Sequence, residues 1–189
     1  TRLVVGSADV YKRQPPCSGT AETFDGPYET LIEQQGEEIR EQERIAAARI
    51  FTTPKGEVVA DFGQEITGYV EISVNAKAGE EIRLSHAEVL DKAGCFYTEN
   101  YRSARAEYCC TCRDGQQSCH PRLTFFGFRY IRIDAFPGGP GAAKPENFTA
   151  VVLHSQMKRT GRLSCSNPLL NRLFDNIICL LYTSDAADD

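Results

Sequence analysis

The sequence lacks a long apolar run, an excess of positive charge and an internal repeat. Its longest apolar stretches, such as 150–153 and 177–181, fall far short of the roughly 20 residues that a membrane-spanning helix needs, which argues against a membrane segment. Lys and Arg number 21 against 26 Asp and Glu and are scattered along the chain, which argues against nucleic acid as a partner. Without a fixed repeat, a propeller or solenoid is not indicated. The 189 residues, 41% hydrophobic, are typical of one globular domain, alone or with pieces of its neighbours.

Both ends of the sequence break abruptly with its middle. Residues 1–14 resemble a translated sequencing-library adapter, and so do residues 179–189. We therefore expect only residues 15–178 to be natural, with the true N-terminus outside the chain. The alternative is a short basic arm and a short acidic tail. In either case no signal peptide can be identified, so the sequence leaves export open.

Cysteine is abundant, with eight residues, of which seven remain if Cys179 belongs to the foreign tail. An odd count argues against a closed disulfide framework. Cys109 and Cys112 form a C-x-x-C pair, and Cys119-His120 follows at a distance that a zinc-binding hairpin would suit. In a strand, however, Cys109 and Cys112 point to opposite faces. We therefore predict no metal site, no cofactor, and ordinary thiols in a reducing compartment, which favours the cytoplasm.

From Glu57 to Ser155 the sequence has short alternating runs separated by turn residues, the pattern of an antiparallel β domain. The apolar run 125–133 predicts a central strand, and residues 148–153 predict a last one. The predicted class is mainly β, an antiparallel sandwich over 56–155. Half-buried strands are expected where apolar residues alternate with polar ones, at Val58, Ala60 and Phe62, at Val70, Ile72 and Val74, and at Ile82, Leu84 and His86.

Beyond residue 160 the apolar period becomes that of a helix, with residues at i, i+3, i+4, i+7 and i+8 from Leu170. Asn167 is placed to cap its N-terminus, and Pro168 occupies a first-turn position, where a missing N–H costs nothing. The apolar stripe has nothing to cover. A β domain followed by one such helix over 160–178 predicts a helical domain that is cut short.

Five groups of residues, each weak alone, are specific together because they recur in order over roughly a hundred residues. Together they resemble bacterial α-L-rhamnosidases, a family of glycoside hydrolases, and the resemblance covers most of residues 22–178. The groups are Asp61-Phe62-Gly63-Gln64 with Gly68-Tyr69-Val70, His86-Ala87-Glu88-Val89-Leu90, Tyr97-Thr98-Glu99-Asn100, Gly127-Phe128-Arg129-Tyr130, and Arg159-Thr160-Gly161 with Ser166-Asn167-Pro168-Leu169-Leu170.

The resemblance implies a jelly-roll or concanavalin-like β-sandwich packed on an (α/α)6 barrel that hydrolyses terminal α-L-rhamnosyl bonds with inversion. The helix from Pro168 would be the first helix of that barrel. Residues 15–55 would be an extended lead-in, which replaces a weak helix pattern over 37–49. Rhamnosylated glycosides or polysaccharides would bind through the missing catalytic domain. The aglycone, the substrate-binding residues and the oligomeric state stay open.

Inversion needs one protonated carboxyl and one carboxylate that activates water, roughly 6.5 to 9.5 Å apart. In the family these residues lie beyond this helix, so no catalytic residue is expected here. His86, Glu88 and Glu99 are the alternative candidates, since a His and two carboxylates near turns could act as acid and base. His86, however, alternates with Leu84 on a buried face, and we expect Glu88 and Glu99 to cap turns or contact the barrel.

Two other classes stay open. A non-catalytic carbohydrate-binding sandwich would stack aromatic side chains on sugar rings, fold alone and retain L-rhamnose. A zinc-stabilised β domain would carry stoichiometric metal. A structural partner of a barrel would instead expose an apolar face when isolated and bind no sugar.

Overall fold

The computed structural model describes residues 26, 29, 31–33 and 35–183, with the backbone alone for residues 179–183. The chain divides into two compact units, 1–36 and 37–189, and every element below belongs to the second. The predicted foreign segment 1–14 lies outside the described residues, as do residues 184–189 of the other such segment. Within the described part, no helix is long and apolar enough to cross a membrane.

The described residues of the second unit form antiparallel strands followed by a helix, which confirms the predicted mainly β class. The strands pair in the order β1-β8-β3-β7-β4-β5, and β2 and β6 also pair with β3. Short 3₁₀ turns lie at Glu99–Tyr101, Pro140–Ala142 and Pro145–Asn147. The elements are β1 (Ile39–Ala46), β2 (Arg49–Thr52), β3 (Val58–Ala76), β4 (Glu81–Ala87), β5 (Glu107–Thr111), β6 (Gly115–Cys119), β7 (Phe126–Ala135), β8 (Phe148–Ser155) and α1 (Pro168–Thr183).

Strand β3 runs through both layers of the sandwich. Its first half lies between β2 and β7, and its second half lies between β8 and β6. The register with β7 shifts between Asp61 and Ile66, and Gly63 within that interval has a φ of 83°. Such a bulge bends a strand and increases its twist. The two predicted strands at 58–62 and 70–74 are therefore one strand that passes from one layer to the other.

Gly68 marks the crossing, where β3 pairs with Phe126 of β7 and with Val152 of β8. A Cβ atom at this position would lie 1.9 Å from the carbonyl oxygen of Val151. Only glycine allows the backbones of β3 and β8 to approach so closely.

The two layers enclose one apolar core, which buries most of the predicted alternating positions of β3 and β4, while Val58 is half-buried at its edge. A smaller cluster of Val59, Ala87, Phe96 and Tyr130 covers the opposite face of the first half of β3. The prediction of a half-buried strand at 58–62 was wrong, because the loop that carries Phe96 covers its second face. Fully buried members of the main core include Ile72, Ile82, Leu84, Phe128, Ile131 and Phe148.

Strands β1 and β2 lie inside the predicted lead-in 15–55, yet both belong to the sheet. β1 pairs with β8 along its whole length, and β2 pairs with the start of β3. The sheet therefore begins at Ile39, ahead of the predicted boundary at 56. Both strands are extended, as the resemblance implied, and the weak helix pattern over 37–49 does not form a helix.

The helix α1 begins at the predicted residue. The Asn167 side-chain oxygen accepts the Leu169 N–H at 3.0 Å, which confirms the N-cap, and Pro168 is the first helical residue. In the apolar stripe, Leu170, Leu173 and Ile177 are each about half exposed, while Phe174 and Ile178 are half-buried. Among the described residues the stripe is therefore covered only in part.

Candidate functional site

A buried carboxylate, Asp61, fixes the bend of β3. Its side chain is 4% exposed and accepts Arg129 Nε–H at 2.9 Å, Arg49 Nη2–H at 3.1 Å and the Gly63 N–H at 2.8 Å. Burial alone would raise the pKa of Asp61, but the bonds from Arg129, Gly63 and Arg49 outweigh it and hold the pKa below its usual value. The carboxylate therefore stays ionised and ties β2, β3 and β7 together.

Beside this network, the carboxylates of Glu65 and Glu88 both lie above Gly127. These two residues form the acidic pair. A Cβ at Gly127 would lie 3.6 Å from Glu88 Oε1 and 3.9 Å from Glu65 Oε1. Glu65 keeps an exposed surface, yet desolvation of its carboxyl and then the charge of Glu88 raise its pKa to about 7, against the lowering effect of Arg129. One member of the pair thus changes charge near neutral pH.

The loop that contains the 3₁₀ turn Glu99–Tyr101 packs against the acidic pair. Asn100 Nδ2 donates to Glu88 Oε2 at 3.0 Å, and the Tyr101 hydroxyl donates to the Gly127 carbonyl at 3.1 Å. Burial, followed by the charges of Glu88 and Glu65, raises the pKa of Tyr101, which keeps the phenol protonated. Gly127, Glu88 and Asn100 come from three of the five resembling groups, so the structure gathers those groups at one place.

Glu65 and Tyr101 were not singled out from the sequence. Glu65 lies between two alternating runs, where strand periodicity assigns no face. The signal available was a charged residue in the bend between those runs. Tyr101 directly follows the third resembling group, which ends at Asn100.

Several residues that neighbour Glu88 and Gly127 in the sequence are apolar and exposed. Val89 follows Glu88 and is about half exposed, and Leu123 and Phe125 precede Gly127 with large exposed fractions. Exposed apolar side chains around a few polar groups are typical of a surface that contacts another domain. The acidic pair can accept hydrogen bonds from cationic or amide groups of such a surface.

His86 does not join the acidic pair as an acid or base. Its side chain is 1% exposed, stacks on Phe126 with ring centroids 4.2 Å apart, and meets Phe128 edge-on at 4.9 Å. Nδ1 lies 2.9 Å from the Ala106 carbonyl oxygen. Burial lowers the pKa of His86 to about 4, against the smaller effect of the Ala106 contact, so the ring is neutral at pH 7. The predicted burial of His86 is confirmed.

The three alternative candidates are therefore not brought together as a site. Glu88 belongs to the acidic pair, His86 lies in the core, and Glu99 is exposed at the first position of its 3₁₀ turn. The turn has no side-chain cap, so the expectation that Glu99 caps a turn is not supported.

A second polar network, which the sequence pattern does not indicate, fastens the loop that carries Phe96 to β7. Arg132 Nε donates to Asp134 Oδ1 at 2.5 Å, and the guanidinium lies 4.9 Å from the Phe96 ring centroid. Ser85 Oγ also donates to Asp134, at 2.5 Å, and Glu57 Oε2 accepts the Phe96 N–H at 3.1 Å. These contacts hold Phe96 over the first half of β3.

The C-x-x-C cysteines point apart as predicted, with Cys109 exposed on β5 and Cys112 buried in the core. All six described cysteines are free thiols. Among the described residues, no group of three or more His, Cys, Asp or Glu is arranged to hold a metal ion.

The paired antiparallel layers, the bend at Asp61 and the resembling groups gathered at Gly127 define a concanavalin-like β-sandwich domain. Residues 51–154 match the family described as the bacterial alpha-L-rhamnosidase concanavalin-like domain. The chain belongs to this family.

Individual relatives agree with that assignment. An α-L-rhamnosidase of Streptomyces avermitilis is 35% identical over 150 residues, which cover 79% of this chain and 14% of that protein. The crystal structure of native α-L-rhamnosidase from Aspergillus terreus superposes with a TM-score of 0.72 at 35% identity and covers 82% of this chain and 18% of that one. The Streptomyces avermitilis enzyme complexed with L-rhamnose also gives 0.72, at 33% identity, over 81% of this chain and 15% of that chain. The chain thus spans less than a fifth of these relatives.

Proposed function

We propose that this chain supplies the accessory β-sandwich of an α-L-rhamnosidase, an enzyme that hydrolyses terminal α-L-rhamnosyl bonds with inversion. The observation that carries the proposal is the family match over residues 51–154 in a chain that spans only 14% to 18% of relatives named as α-L-rhamnosidases. Rhamnosylated glycosides or polysaccharides are then the substrates of the whole enzyme.

We place the catalytic carboxylates outside this chain. Among the described acids, Asp61 is held ionised by two arginines, so it cannot donate a proton near pH 7. The acidic pair does contain one carboxyl with a raised pKa, as acid–base pairs do. Glu88, however, is bonded to Asn100, and exposed apolar residues neighbour the pair in the chain. This setting favours a contact surface.

The domain organisation follows the same proposal. Residues 56–155, with β1 and β2 added, form the sandwich, and residues 160–178 form the start of the catalytic helical domain. The partly exposed stripe of α1 supports this assignment because an amphipathic helix buries its apolar face against a neighbour.

The acidic pair and its apolar surroundings are proposed to contact the catalytic domain. A partly desolvated carboxylate gains from a cationic or amide partner, and the exposed Val89, Leu123 and Phe125 gain from burial. Without the catalytic domain these residues stay exposed to solvent.

A domain exchange tests the proposal. The matching segment of the Streptomyces avermitilis α-L-rhamnosidase is replaced by residues 37–155 of this chain, and hydrolysis of p-nitrophenyl α-L-rhamnoside is measured. We expect the chimera to keep activity within about tenfold, because a structural sandwich needs a compatible contact face rather than reacting groups. A folded, soluble chimera without activity would contradict the proposal.

The proposed contact between the acidic pair and the catalytic domain is tested in the same chimera. Glu88→Ala should lower its Tm and activity, while Glu146→Ala, at an exposed carboxylate 3.9 Å from Lys144 Nζ, is the matched control. If Glu88→Ala and Glu99→Ala together left stability and activity untouched, the surface that carries these two carboxylates would not contact the catalytic domain.

The carbohydrate-binding module is the second candidate, and the tyrosines argue against it. The tyrosines of the sandwich, at positions 69, 97, 101, 108 and 130, are buried or half-buried: Tyr69 stacks on His120, and the Tyr101 hydroxyl is bonded to the Gly127 carbonyl. A stacking platform needs an exposed ring face. Calorimetric titration of the chain with L-rhamnose should therefore give no heat of binding, whereas saturable binding would favour the module.

A further inference from the structure

Two thiols face each other across the open edge of the sandwich. Cys110 on β5 pairs in register with Ile82, and Cys119 on β6 pairs in register with Ile72. Cross-strand partners point to the same face of a sheet, and both isoleucines are fully buried in the main core. Cys110 and Cys119 therefore point inward from opposite layers, where β5 ends one layer and β6 ends the other.

The Cys119 thiol lies close enough to Cys110 for the two groups to interact. Burial and then the neighbouring Cys110 raise the pKa of Cys119 to about 12, and the Cys119 Sγ–H is directed at Gln117 Oε1, 4.0 Å away. Cys110 is half-buried and Cys119 is buried, so Cys110 is the thiol that a small molecule reaches first.

The connection between the two strands is held in shape by Gln117. Its side-chain oxygen accepts the Arg113 N–H at 3.2 Å, and its nitrogen donates to the Arg113 carbonyl at 2.8 Å. Gly115, with a φ of 92°, completes the turn. This corner fixes the path of the chain from β5 to β6, the two strands that carry Cys110 and Cys119.

Two other thiols lie nearby. Cys109 is exposed on the outer face and donates to Glu81 Oε1 at 2.9 Å. Cys112 is buried in the main core, against which Cys110 also packs, beyond the end of β5, where its backbone pairs with Glu80 and Gly79. It is therefore the competing partner for Cys119, and the position of the bond in the test distinguishes it from Cys110.

We propose that Cys110 and Cys119 form an intramolecular disulfide when the protein meets a small-molecule disulfide, and that this bond closes the open edge of the sandwich. Cys110 as thiolate attacks one sulfur of the small molecule, whose S–S bond breaks and releases one thiol. Cys119 then gives up its proton and attacks the Cys110 sulfur of the mixed disulfide, which releases the second thiol. The two protein thiols are oxidised and the small molecule is reduced to two thiols.

The test uses the full 189-residue chain with glutathione disulfide as the probe, followed by alkylation of the remaining thiols and tryptic digestion. Cleavage after Arg105, Arg113 and Arg122 gives peptide 106–113, with Cys109, Cys110 and Cys112, and peptide 114–122, with Cys119. We expect these peptides to be joined in the monomer, with fragment ions placing the bond at Cys110. The Tm should rise by about 5 °C or more, because the cross-link restricts the unfolded chain.

Variants make the result specific. Cys110→Ser and Cys119→Ser should each abolish the joined peptides and the rise in Tm, while Cys109→Ser should keep both. Reduction by dithiothreitol should reverse the shift. The proposal is overturned if Cys110 and Cys119 stay fully alkylatable after oxidation, or if the bond to Cys119 comes from Cys109 or Cys112.

Discussion

The two halves of β3 show how one strand serves two purposes. In the second half, Val70, Ile72 and Val74 face the core, while Glu71 and Ser73 face outward, as in an ordinary half-buried strand. In the first half both faces are covered, and a carboxylate, Asp61, is buried between two arginines. Burying a charge is costly unless it is paired. The first half therefore keeps its buried carboxylate paired with two arginines at the bend that leads to the acidic pair. The second half contributes apolar side chains to the core.

The largest effect is expected where the two halves meet. Gly68→Ala should cost more than about 5 kcal/mol or prevent folding, because its Cβ would overlap the Val151 carbonyl. Gly127→Ala is the matched control and should stay near wild type, since its Cβ meets only side-chain oxygens at 3.6 Å or more. Urea unfolding followed by circular dichroism measures both. A stable Gly68→Ala variant would show that β3 and β8 are spaced differently.

The second largest loss of stability from a substitution is expected at Asp61, in the first half of β3, and it is compared with the loss at Glu71, in the second half. Asp61→Ala should cost about 2 to 3 kcal/mol, because it removes the buried acceptor of the Gly63 N–H and of the Arg129 and Arg49 guanidinium groups. Glu71→Ala removes a partly exposed ion pair with Arg44 and should cost less than about 1 kcal/mol. Equal losses in the two variants would remove the distinction between the halves.

A third prediction concerns pH and His86. Its pKa is about 4 in the folded protein and about 6.5 when unfolded, so the unfolded chain alone takes up a proton between these values. Stability should therefore fall by roughly 3 kcal/mol as the pH drops from 7 to 4. His86→Phe should lose this part of the pH dependence, and His120→Phe, at an exposed site, should keep it. Denaturant titrations at both pH values provide the measurement.

The smallest effect is expected in the acidic pair. The pKa of Glu65 is raised in the folded protein, so its contribution to stability is present below pH 4.5 and is lost as the pH rises through about 7. Glu65→Gln should therefore be more stable than wild type at pH 8, by less than about 1 kcal/mol because solvent screens the charge, and equal to it at pH 4. Glu99→Gln is the exposed control. A loss of stability at pH 8 would mean that Glu65 has a cationic partner.

The sequence predicted those parts of the fold that depend on local pattern. Alternation located the core positions of β3 and β4, and Asn167 located the start of α1. The second covered face of β3 could not be predicted, because Phe96 reaches Val59 from a distant loop. Strand β1 was missed because its side chains are mostly exposed and its pairing with β8 is made through the backbone.

The candidate site was predicted only in part. The resemblance named Glu88, Asn100 and Gly127 but gave no reason for them to meet. Their convergence depends on the bend of β3, which brings Glu65 to the Gly127 position of β7. A bulge moves a residue out of the strand period, so alternation could not assign Glu65 to any face.

The central proposal, that this sandwich is part of an α-L-rhamnosidase whose catalytic carboxylates lie elsewhere, is tested most directly by assaying the folded 189-residue chain with p-nitrophenyl α-L-rhamnoside. We predict no release of p-nitrophenol above the buffer rate at any pH between 4 and 8. Turnover that Glu65→Gln or Glu88→Gln abolishes would contradict the account, because it would make the acidic pair the catalytic acid and base.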